Sequence, residues 1–407
     1  MKSLCLLFLI SVSLMAELEI RGHLDLDTQA YLTRADKKHA SSITLKQTLE
    51  FRYTKNDLSI FAKLYAQEAY VDFLKTEDKT SRTFARLDEL YIRYELENAT
   101  MQIGKSIKFW GALELENIVD VFNPNELRDD LFKTNSLGVW NTSYSYYTDR
   151  GELSVIMKLE EPKQKMADFA YVYYLFAQNT FYDDALQTSK NVNTPSLYLV
   201  YSGSTDTEYG IDFAFIYEHG YDSQRYYLKR EGASTSYRQY AYKVDKFMTY
   251  NTLVVGSTLL KLEALYAIVD DSELISDYSH IALGVEHALD DLQNGATLSL
   301  ISEYYKYTTY EDGKYTDLQL FENMQNDIFL GLRYALNNSD DTEIVGGIIH
   351  DLEYDEQTYY LELESRVGDF FKIAVDYYYI VPSKKELTAN ALLGRHQRIG
   401  VNIAYYF

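Results

Sequence analysis

Apolar residues recur at every second position over many short stretches of this chain. In the last stretch, Ile399, Val401, Ile403, Tyr405 and Phe407 fall on one side of an extended chain, and the residues between them fall on the other. Successive side chains of a β-strand point to opposite faces. The alternation therefore predicts a final strand with one wholly apolar face.

The same alternation predicts eighteen strands, each with one face in lipid and one in water. They lie at about residues 18–32, 41–54, 58–70, 83–96, 99–106, 135–147, 151–160, 195–203, 208–218, 245–256, 258–269, 278–288, 295–309, 325–336, 342–352, 356–367, 370–381 and 395–407. Sixteen strands remain an alternative, because the pattern is ambiguous near residues 258 and 352.

The connections between the predicted strands alternate in length. Short turns follow the even-numbered strands, as at 55–57, 97–98, 148–150 and 368–369. The longest loops follow odd-numbered strands, at 107–134, 161–194, 219–244 and 310–324. An up-and-down transmembrane barrel has short periplasmic turns at one end and long extracellular loops at the other. The sequence therefore predicts an all-β, antiparallel transmembrane barrel, and a closed sheet of this size encloses a water channel.

Composition agrees with strands that are only half apolar. Apolar residues make up 46% of the chain and the mean hydropathy is −0.30, values that a water-soluble protein also has. A transmembrane β-strand needs only alternate apolar residues, so it raises the mean hydropathy little. The 40 tyrosines suit both interfacial girdles and a wet lumen. With 4 prolines and no linker-like stretch, residues 17–407 are predicted to form one barrel.

Residues 1–16 have the features of a secretory signal peptide. Lys2 is followed by an apolar run from Leu4 to Ile10, and small or apolar residues lead to a cleavage site after Ala16. The run is shorter than the roughly 18 residues that a membrane-spanning helix needs. Cys5 is the only cysteine, so the mature chain is expected to contain no disulfide and no thiolate site.

Charge and motifs argue against two classes of function. The formal net charge is −22, which makes nucleic acid an improbable partner. Neither an H-E-x-x-H nor a G-x-S-x-G pattern occurs, so no metal, cofactor or enzymatic activity is expected. The remaining enzyme alternative is a dyad of Asp212 and His219 at one strand end on the outer rim.

The last strand resembles the assembly signal of bacterial outer-membrane β-barrels, which combines an apolar face, here with Tyr405, and a C-terminal aromatic residue, here Phe407. This resemblance implies the outer membrane of a Gram-negative bacterium. The implied partners are outer-membrane lipid, lipopolysaccharide and the barrel-assembly machinery. A homotrimer is left open.

One long connection, residues 104–134, is predicted to fold into the lumen. Asn123 as N-cap, Pro124 at the first helical position and Glu126 three residues after the cap predict a short helix from Pro124 to about Phe132. Gly104 and Gly111 suit a close approach of this loop to the barrel wall.

The same segment resembles porin-like barrels related to the alginate-export group. Gly104-Lys105, then Trp110-Gly111, then Asn123-Pro124 near a strand end follow the order of motifs in that family. Lys105 stands where arginine is more usual, and no dense arginine lining is present. The resemblance therefore implies a porin-like channel but not a polyanionic substrate.

Charges of both signs in this loop predict a constriction that orients polar solutes. The candidates for it are Lys105, Lys108, Trp110, Glu114, Glu116, Asp120, Arg128, Asp129 and Lys133. In the alternative view, Trp110, Asn123 and Pro124 only shape the loop, and the charges only keep it solvated. Candidates for the lining of the lumen are Arg21, Asp25, Lys46, Arg52, Tyr91 and Arg93, which either form cross-strand pairs or contribute to selectivity.

Three functions compete on this evidence. The favoured hypothesis is a passive channel for small polar solutes or ions. The alternative is a surface-binding or export-partner barrel that uses the long extracellular loops 161–194 and 219–244. The third is a hydrolase with its site on the barrel rim.

Overall fold

Antiparallel strands follow one another around a closed cylinder in the computed structural model of this chain. The structure describes residues 18–407 except 34–39, 74–80, 169–170, 175–179, 206–208, 231–234, 271–274, 311–321, 323 and 385–387. The predicted signal peptide lies outside the described residues. Within the described part of the chain, no helix is long and apolar enough to cross a membrane.

Most of the described chain is β-strand. The strands are β1 (Leu18–Thr33), β2 (Ser41–Lys55), β3 (Leu58–Ala69), β4 (Phe84–Leu96), β5 (Ala99–Ser106), β6 (Asn125–Glu126), β7 (Asn135–Ser136), β8 (Val139–Thr148), β9 (Gly151–Lys158), β10 (Thr180–Thr188), β11 (Ser196–Ser204), β12 (Ile211–Tyr221), β13 (Tyr226–Arg230), β14 (Thr235–Ala241), β15 (Lys243–Val255), β16 (Thr258–Val269), β17 (Tyr278–Leu289), β18 (Thr297–Thr309), β19 (Asn326–Ala335), β20 (Glu343–Asp351), β21 (Gln357–Val367), β22 (Phe371–Val381) and β23 (His396–Tyr406). Short helical segments occur at Tyr70–Phe73, Gln293–Gly295 and α1 (Ala389–Leu393).

Eighteen of these strands form the barrel, as the alternation predicts, and the sixteen-strand alternative is wrong. Region 258 is a regular strand, because β16 pairs along its length with β15 on one side and β17 on the other. Near residue 352, β20 ends at Asp351 and β21 begins at Gln357. The largest difference in a strand start is at β8, which begins at Val139 rather than at residue 135.

Hydrogen bonds between the first and last strands close the barrel. β1 pairs with β2 on one side and with β23 on the other, where Leu26 lies opposite Ile403. Gly22 and Phe407 each donate a backbone N–H to the carbonyl oxygen of the other, both at 3.0 Å. Closure removes the free edges of the first and last strands, as a sheet within a membrane requires.

Alternate side chains form an apolar belt around the outside of the barrel. Ile103, Leu283 and Leu330, on three different strands, expose 58%, 51% and 55% of their surface, and the outward residues of the last strand, such as Ile399, belong to the same belt. Apolar area of this extent is stable only where hydrocarbon replaces water. The belt is therefore the lipid-facing surface.

The inner face is not polar throughout, and the expectation of a wet inner wall on every strand is wrong. The inward positions of β9, β11, β12, β15 and β16 include Ile156, Val200, Ile216, Met248 and Leu265, all of them buried. They pack against apolar residues of the connection between β5 and β8. Protein thus fills the side of the barrel along β9–β16, whereas the inward side chains of β1–β4 and β19–β23 are mostly polar or aromatic.

The described parts of the long connections fold over one end of the barrel. β10, β14 and β13 form a separate three-stranded sheet there. Tyr171 and Tyr173, from the connection between β9 and β11, are both buried. The hydroxyl of Tyr171 lies 2.9 Å from that of Tyr31 on β1, and Arg398 of β23 donates to the hydroxyl of Tyr173 at 2.9 Å.

Candidate functional site in the lumen

The lumen loop, residues 107–138, leaves the wall at the end of a short strand. β5 ends at Ser106, which lies opposite Val139 of β8. Gly104 has a φ of 141°, and a Cβ there would lie 2.2 Å from the carbonyl oxygen of Leu90. Glycine alone permits this approach. The contact joins two neighbouring strands of the wall, β4 and β5, and is not the predicted approach of the loop to the wall. At Gly111 the close contact is within the loop instead, because a Cβ would lie 2.1 Å from Oδ1 of Asn117.

Asn123 joins the two ends of the lumen loop. Its Oδ1 accepts the backbone N–H of Lys108 at 2.8 Å, and its Nδ2 donates to the carbonyl oxygen of Leu137 at 2.7 Å. The side chain is therefore occupied by the two loop ends and does not cap a helix. The predicted helix from Pro124 to Phe132 is wrong.

A small two-stranded ladder replaces that helix. β6 pairs with β7, with Asn125 opposite Ser136. The carboxylate of Glu126 accepts from Nε of Arg128 at 2.7 Å and from Nη1 of Arg86 at 3.0 Å. Because Glu126 binds these arginines, it does not reach back to the backbone N–H of residue 123 as a helix cap would require.

The first limb of the lumen loop, residues 110–122, packs on the apolar part of the inner wall. Trp110 is 6% exposed, and its ring centroid lies 5.6 Å from those of Phe122 and of Tyr198 on β11. Val119 is fully buried in the same cluster. Burial contributes roughly 1.5–3 kcal/mol for each large apolar side chain. Trp110 thus holds the limb against the wall.

Two carboxylates on the far wall bind the tip of the first limb. Glu263 of β16 accepts the backbone N–H groups of Ala112 and Leu113 at 2.6 and 3.2 Å. Glu303 of β18 accepts the N–H groups of Glu114 and the residue after it at 2.7 and 3.0 Å. Hydrogen bonds to an ionised acceptor are stronger than those between neutral groups. These contacts fix the limb across the interior, far from its origin at β5.

The second limb, residues 126–133, reaches the opposite part of the wall. Asp129 forms an ion pair with Arg82, which is fully buried, and its Oδ2 lies 2.7 Å from Nζ of Lys46. Burial alone would raise the pKa of Asp129, but these two cations hold that pKa well below its usual range. The guanidinium of Arg82 also lies 4.1 Å from the ring centroid of Tyr171.

Asp130, the next residue, binds the last strand. Its Oδ2 lies 2.6 Å from Nη1 of Arg398, whose Nη2 also pairs with Asp376 at 2.8 Å. Burial opposes ionisation of Asp130, yet Arg398 holds its pKa below the ordinary value. Lys133 then pairs with Glu362 of β21.

Two carboxyl groups of the first limb have raised pKa values. Burial raises the pKa of Asp120 to about 6, although the carboxylate accepts the backbone N–H of Trp110 at 3.3 Å. Burial, followed by the nearby carboxylates of Glu322 and Asp327, raises the pKa of Glu116 to about 8. Both groups therefore change charge close to neutral pH.

Most of the charged residues predicted to form the constriction are held in ion pairs or hydrogen bonds, and they do not face one another across an open gap. Arg128 pairs with Glu126 of its own limb, and Glu114 pairs with Arg333 of β19. Lys108 is bonded through its backbone, and burial lowers the pKa of its amino group. The charged side chains of the lumen loop thus serve first to hold the loop in place.

Lys105 does not face the lumen, which corrects its assignment to the constriction. It shares one face of β5 with Met101 and Ile103, which are 51% and 58% exposed on the lipid side. It lies opposite the outward Trp140 of β8, and its Nζ donates to the carbonyl oxygen of Leu87 at 2.6 Å. The alternation runs through Gly104 without a bulge, so Lys105 is directed outward.

The six candidates for the lining of the lumen all lie on the inward register of their strands. Lys46 pairs across strands with Asp27 at 2.8 Å, and Asp25 lies 3.4 Å from Nε2 of His23. The others contact neighbours on the same wall: Arg21 with Glu19, Arg93 with Gln102 and the ring of Tyr91, and Arg52 with the ring of Phe61. Most of these lining side chains therefore contact a neighbouring side chain on the same wall.

Sequence reasoning missed Arg82, Glu263 and Glu303. Arg82 lies in a polar connection where no pattern distinguishes it. Glu263 and Glu303 each occupy an inward position of a strand, and a carboxylate at an inward position was the available signal. No spacing rule reveals which backbone groups of a distant loop they bind.

Asp212 and His219 do not form a dyad, so that prediction is wrong. They lie at opposite ends of β12 and, seven residues apart, on opposite faces. Ser204 donates to Asp212 at 2.5 Å at the short-turn end. His219 instead has Nδ1 2.9 Å from Oδ1 of Asp245 on the outer surface.

An eighteen-stranded closed antiparallel barrel with an apolar belt and a loop folded into its lumen has the architecture of a bacterial outer-membrane β-barrel. Solved structures agree with this fold. OccK8 (OprE) of Pseudomonas aeruginosa aligns over 97% of this chain and 99% of its own at 10% identity and a TM-score of 0.57. A BenF-like porin from Pseudomonas fluorescens Pf-5 aligns over 96% and 98% at 9% identity and a TM-score of 0.57. The outer membrane protein opdK of P. aeruginosa aligns over 96% and 99% at 10% identity and a TM-score of 0.55.

No protein-family model and no curated protein sequence matches the chain. The similarity is therefore one of architecture. Together, the fold and the lipid-facing belt make this chain a protein of the outer membrane of a Gram-negative bacterium.

Proposed function

We propose that this protein is a channel through which small polar solutes or ions diffuse passively across the outer membrane. The observation that carries the proposal is the course of the lumen loop. Its first limb fills the apolar side of the barrel, whereas along β1–β4 and β19–β23 the inward side chains are mostly polar or aromatic, and many of them, such as Asp25 and Glu362, are partly exposed. The path proposed for solutes lies on this side. A barrel this wide is otherwise an open tube, so a loop across it determines what passes.

The alternative of a surface-binding barrel is less well supported by the long connections. Asp222 lies 2.7 Å from Nζ of Lys246 on the barrel strand β15, and Arg225 pairs with Glu161, with all four side chains buried. The charges of Asp222, Arg225 and Glu161 are therefore not available to a partner.

Several finer expectations remain proposals. They are the relation to alginate-export-type barrels, the constriction role of the loop charges, the absence of enzymatic activity, association as a homotrimer, and recognition of Tyr405 and Phe407 by the assembly machinery. Outer-membrane lipid and lipopolysaccharide are the expected surroundings of the belt.

Planar-bilayer recording of the purified full-length mature protein tests the channel. We expect stepwise current increases as single molecules insert, and a reversal potential in a salt gradient that gives the sign of ion selectivity. Protein unfolded by heat before addition serves as the control. Insertion without current, shown by protein recovered in the bilayer fraction, would contradict the proposal.

A further inference from the structure

We infer that the outer face of β1–β3, centred on Gln47, binds the same face of a second copy of this chain within the membrane. This contact is separate from the lumen and does not depend on the channel function. Gln47 lies near the middle of β2, opposite Leu24 of β1 on one side and Ala66 of β3 on the other. All three side chains occupy the outward register of their strands.

Gln47 places a polar amide inside the apolar belt. On the same face of β2, Ile43 and Leu45 lie towards the extracellular end. Leu49 and Phe51 lie on that face towards the short-turn end. The amide is therefore at a depth where hydrocarbon surrounds the barrel. An amide carries two N–H donors and a carbonyl oxygen, and their transfer to hydrocarbon without hydrogen bonds is unfavourable.

Gln47 has no hydrogen-bond partner for its side chain among the described residues, and it is partly exposed on the outer surface. Two other outward amides are bonded within the wall. Nδ2 of Asn251 donates to the hydroxyl of Thr249 at 2.9 Å. Nε2 of Gln397 donates to the hydroxyl of Tyr377 at 2.7 Å. The amide of Gln47 is thus left for a group outside its own barrel.

A second copy of the chain supplies a matching group at the same depth. All copies insert into the membrane in one direction, so a two-fold axis normal to the membrane brings Gln47 of each copy to the same height. A primary amide is self-complementary, because the N–H of each Gln47 donates to the carbonyl oxygen of the other. Lipid tails offer neither a donor nor an acceptor at this depth.

The surroundings of Gln47 suit close contact between two barrels. Ala62 and Ala66 of β3 are small, so a facing barrel can approach the amide closely. Leu45 and Leu64 are exposed around it. Packed against the same residues of a second copy, these leucines keep other groups away from the amide pair.

The other polar group of the belt does not favour a ring of three copies. Thr249 and Asn251 of β15 lie on nearly the opposite side of the eighteen-stranded barrel from Gln47. Contacts that join opposite sides of a barrel produce an open chain of copies and not a closed ring. The two-fold contact at Gln47 closes on itself, so the expected assembly is a dimer and not a homotrimer.

Single cysteines test where the two copies meet. Cys5, the only cysteine, lies in the predicted signal peptide, so the mature chain offers no competing thiol. Oxidation of outer membranes with copper phenanthroline is expected to convert most of the folded Gln47→Cys protein to a disulfide-linked dimer on a non-reducing gel. Leu283→Cys, an exposed belt position of β17 on the far side of the barrel, is the matched control and should give several-fold less dimer.

The mass of the assembly tests the amide itself. Wild-type protein extracted with its lipids into nanodiscs is expected to have the mass of two copies. Gln47→Leu should be mainly monomeric, because leucine fits the belt but forms no hydrogen bond with a second copy. Asn251→Leu removes an amide from the other side of the barrel and should keep the dimer. Gln47→Asn retains an amide and should restore part of it. The heat-modifiable band on a detergent gel shows which variants have assembled.

Equal cross-linking of Gln47→Cys and Leu283→Cys would refute the contact. So would equal dimer fractions for the wild type and for assembled Gln47→Leu. Wild-type protein with the mass of one or of three copies would refute the two-fold pairing. These measurements do not involve conductance, so failure of the contact leaves the channel proposal intact.

Discussion

Gly104 allows β5 to lie close to β4, because no other residue fits between the two strands at that point. Its φ of 141° and the nearby carbonyl oxygen of Leu90 leave no room for a Cβ. Asn123 then ties the two loop ends together through Lys108 and Leu137. A single glycine thus permits the close spacing of two wall strands, and a single asparagine joins the two ends of the lumen loop.

Replacing Gly104 by alanine is expected to destabilise the barrel. The left-handed φ and the contact with Leu90 together cost on the order of 1–3 kcal/mol or more. The measurement is the temperature at which the folded, fast-migrating band is lost on a detergent gel. Gly210→Ala is the matched control, because a Cβ there meets nothing within 4 Å. Equal loss of stability in both variants would contradict this account of Gly104.

Asp120 and Glu116 predict a pH-dependent ion selectivity. Because burial raises their pKa values to about 6 and about 8, both are ionised at high pH and both become neutral as the pH falls. Selectivity for cations is therefore expected to decrease between about pH 9 and pH 5. Reversal potentials measured across this range test the effect.

The same shifts fix the direction of a stability effect. A carboxyl group whose pKa is raised by folding stabilises the folded loop below its unfolded pKa, near 4, and this contribution is lost as the pH rises through the folded pKa.

Variants test the effect on selectivity. Asp120→Asn combined with Glu116→Gln should flatten the dependence of ion selectivity on pH, whereas Glu364→Gln, at a carboxylate paired with Lys372, should not. An unchanged profile in the double variant would refute the assignment.

At the scale of elements, the lumen loop is held at three places. The apolar first limb packs on the inner wall, its tip is bound by Glu263 and Glu303, and the second limb pairs with Arg82 and Arg398. Each place lies on a different part of the barrel. The loop is therefore attached to the wall on several sides of the interior and does not hang free in the lumen.

Removing the tip contacts is expected to widen the channel. In Glu263→Gln with Glu303→Gln, one oxygen of each carboxylate becomes an NH₂ group that faces backbone N–H donors. Loss of a charge-assisted hydrogen bond costs roughly 1.5–3 kcal/mol. Single-channel recording should show a conductance increase on the order of twofold, with added current noise, because the tip no longer occupies a fixed position across the lumen.

A matched pair of variants controls for the change in charge. Glu50→Gln with Glu364→Gln removes the same charge from wall carboxylates that pair with Lys63 and Lys372. This variant should keep the wild-type conductance and noise. If both double variants change the current equally, charge and not loop position explains the effect.

At the scale of the whole molecule, the barrel depends on the contact between its two ends. Gly22 and Phe407 exchange two backbone hydrogen bonds at 3.0 Å, next to the pairing of β1 with β23. A sheet that fails to close exposes unpaired backbone groups to hydrocarbon, which is prohibitively unfavourable.

Deleting Phe407 is therefore expected to reduce the fraction of chains that assemble. The measurement is the ratio of heat-modifiable folded protein to total protein in the outer-membrane fraction. Phe215→Ala removes a ring of equal size from the belt, where the side chain is 55% exposed, without touching the closure. An assembled fraction as high for the deletion as for Phe215→Ala would argue against a role of the terminal residue in closure.

The alternation of apolar and polar residues predicted the barrel and most of its outward faces, and it favoured eighteen strands over sixteen. This is because every second side chain of a transmembrane strand contacts lipid and must be apolar, whichever residues precede and follow it in the chain. The lengths of the connections likewise identified the end with short turns. Ile399 and Ile403 were assigned to the apolar face from the last strand alone, and both are exposed on the lipid side.

The interior was decided by contacts between segments far apart in sequence. Pro124–Phe132 has the local pattern of a helix start, yet Asn123 binds Lys108 and Leu137, and Asp129 binds Arg82. Glu263 meets backbone groups about 150 residues away. Strand periodicity records only which face a residue occupies, so the sequence determined the cylinder, and tertiary packing alone determined how the loop crosses it.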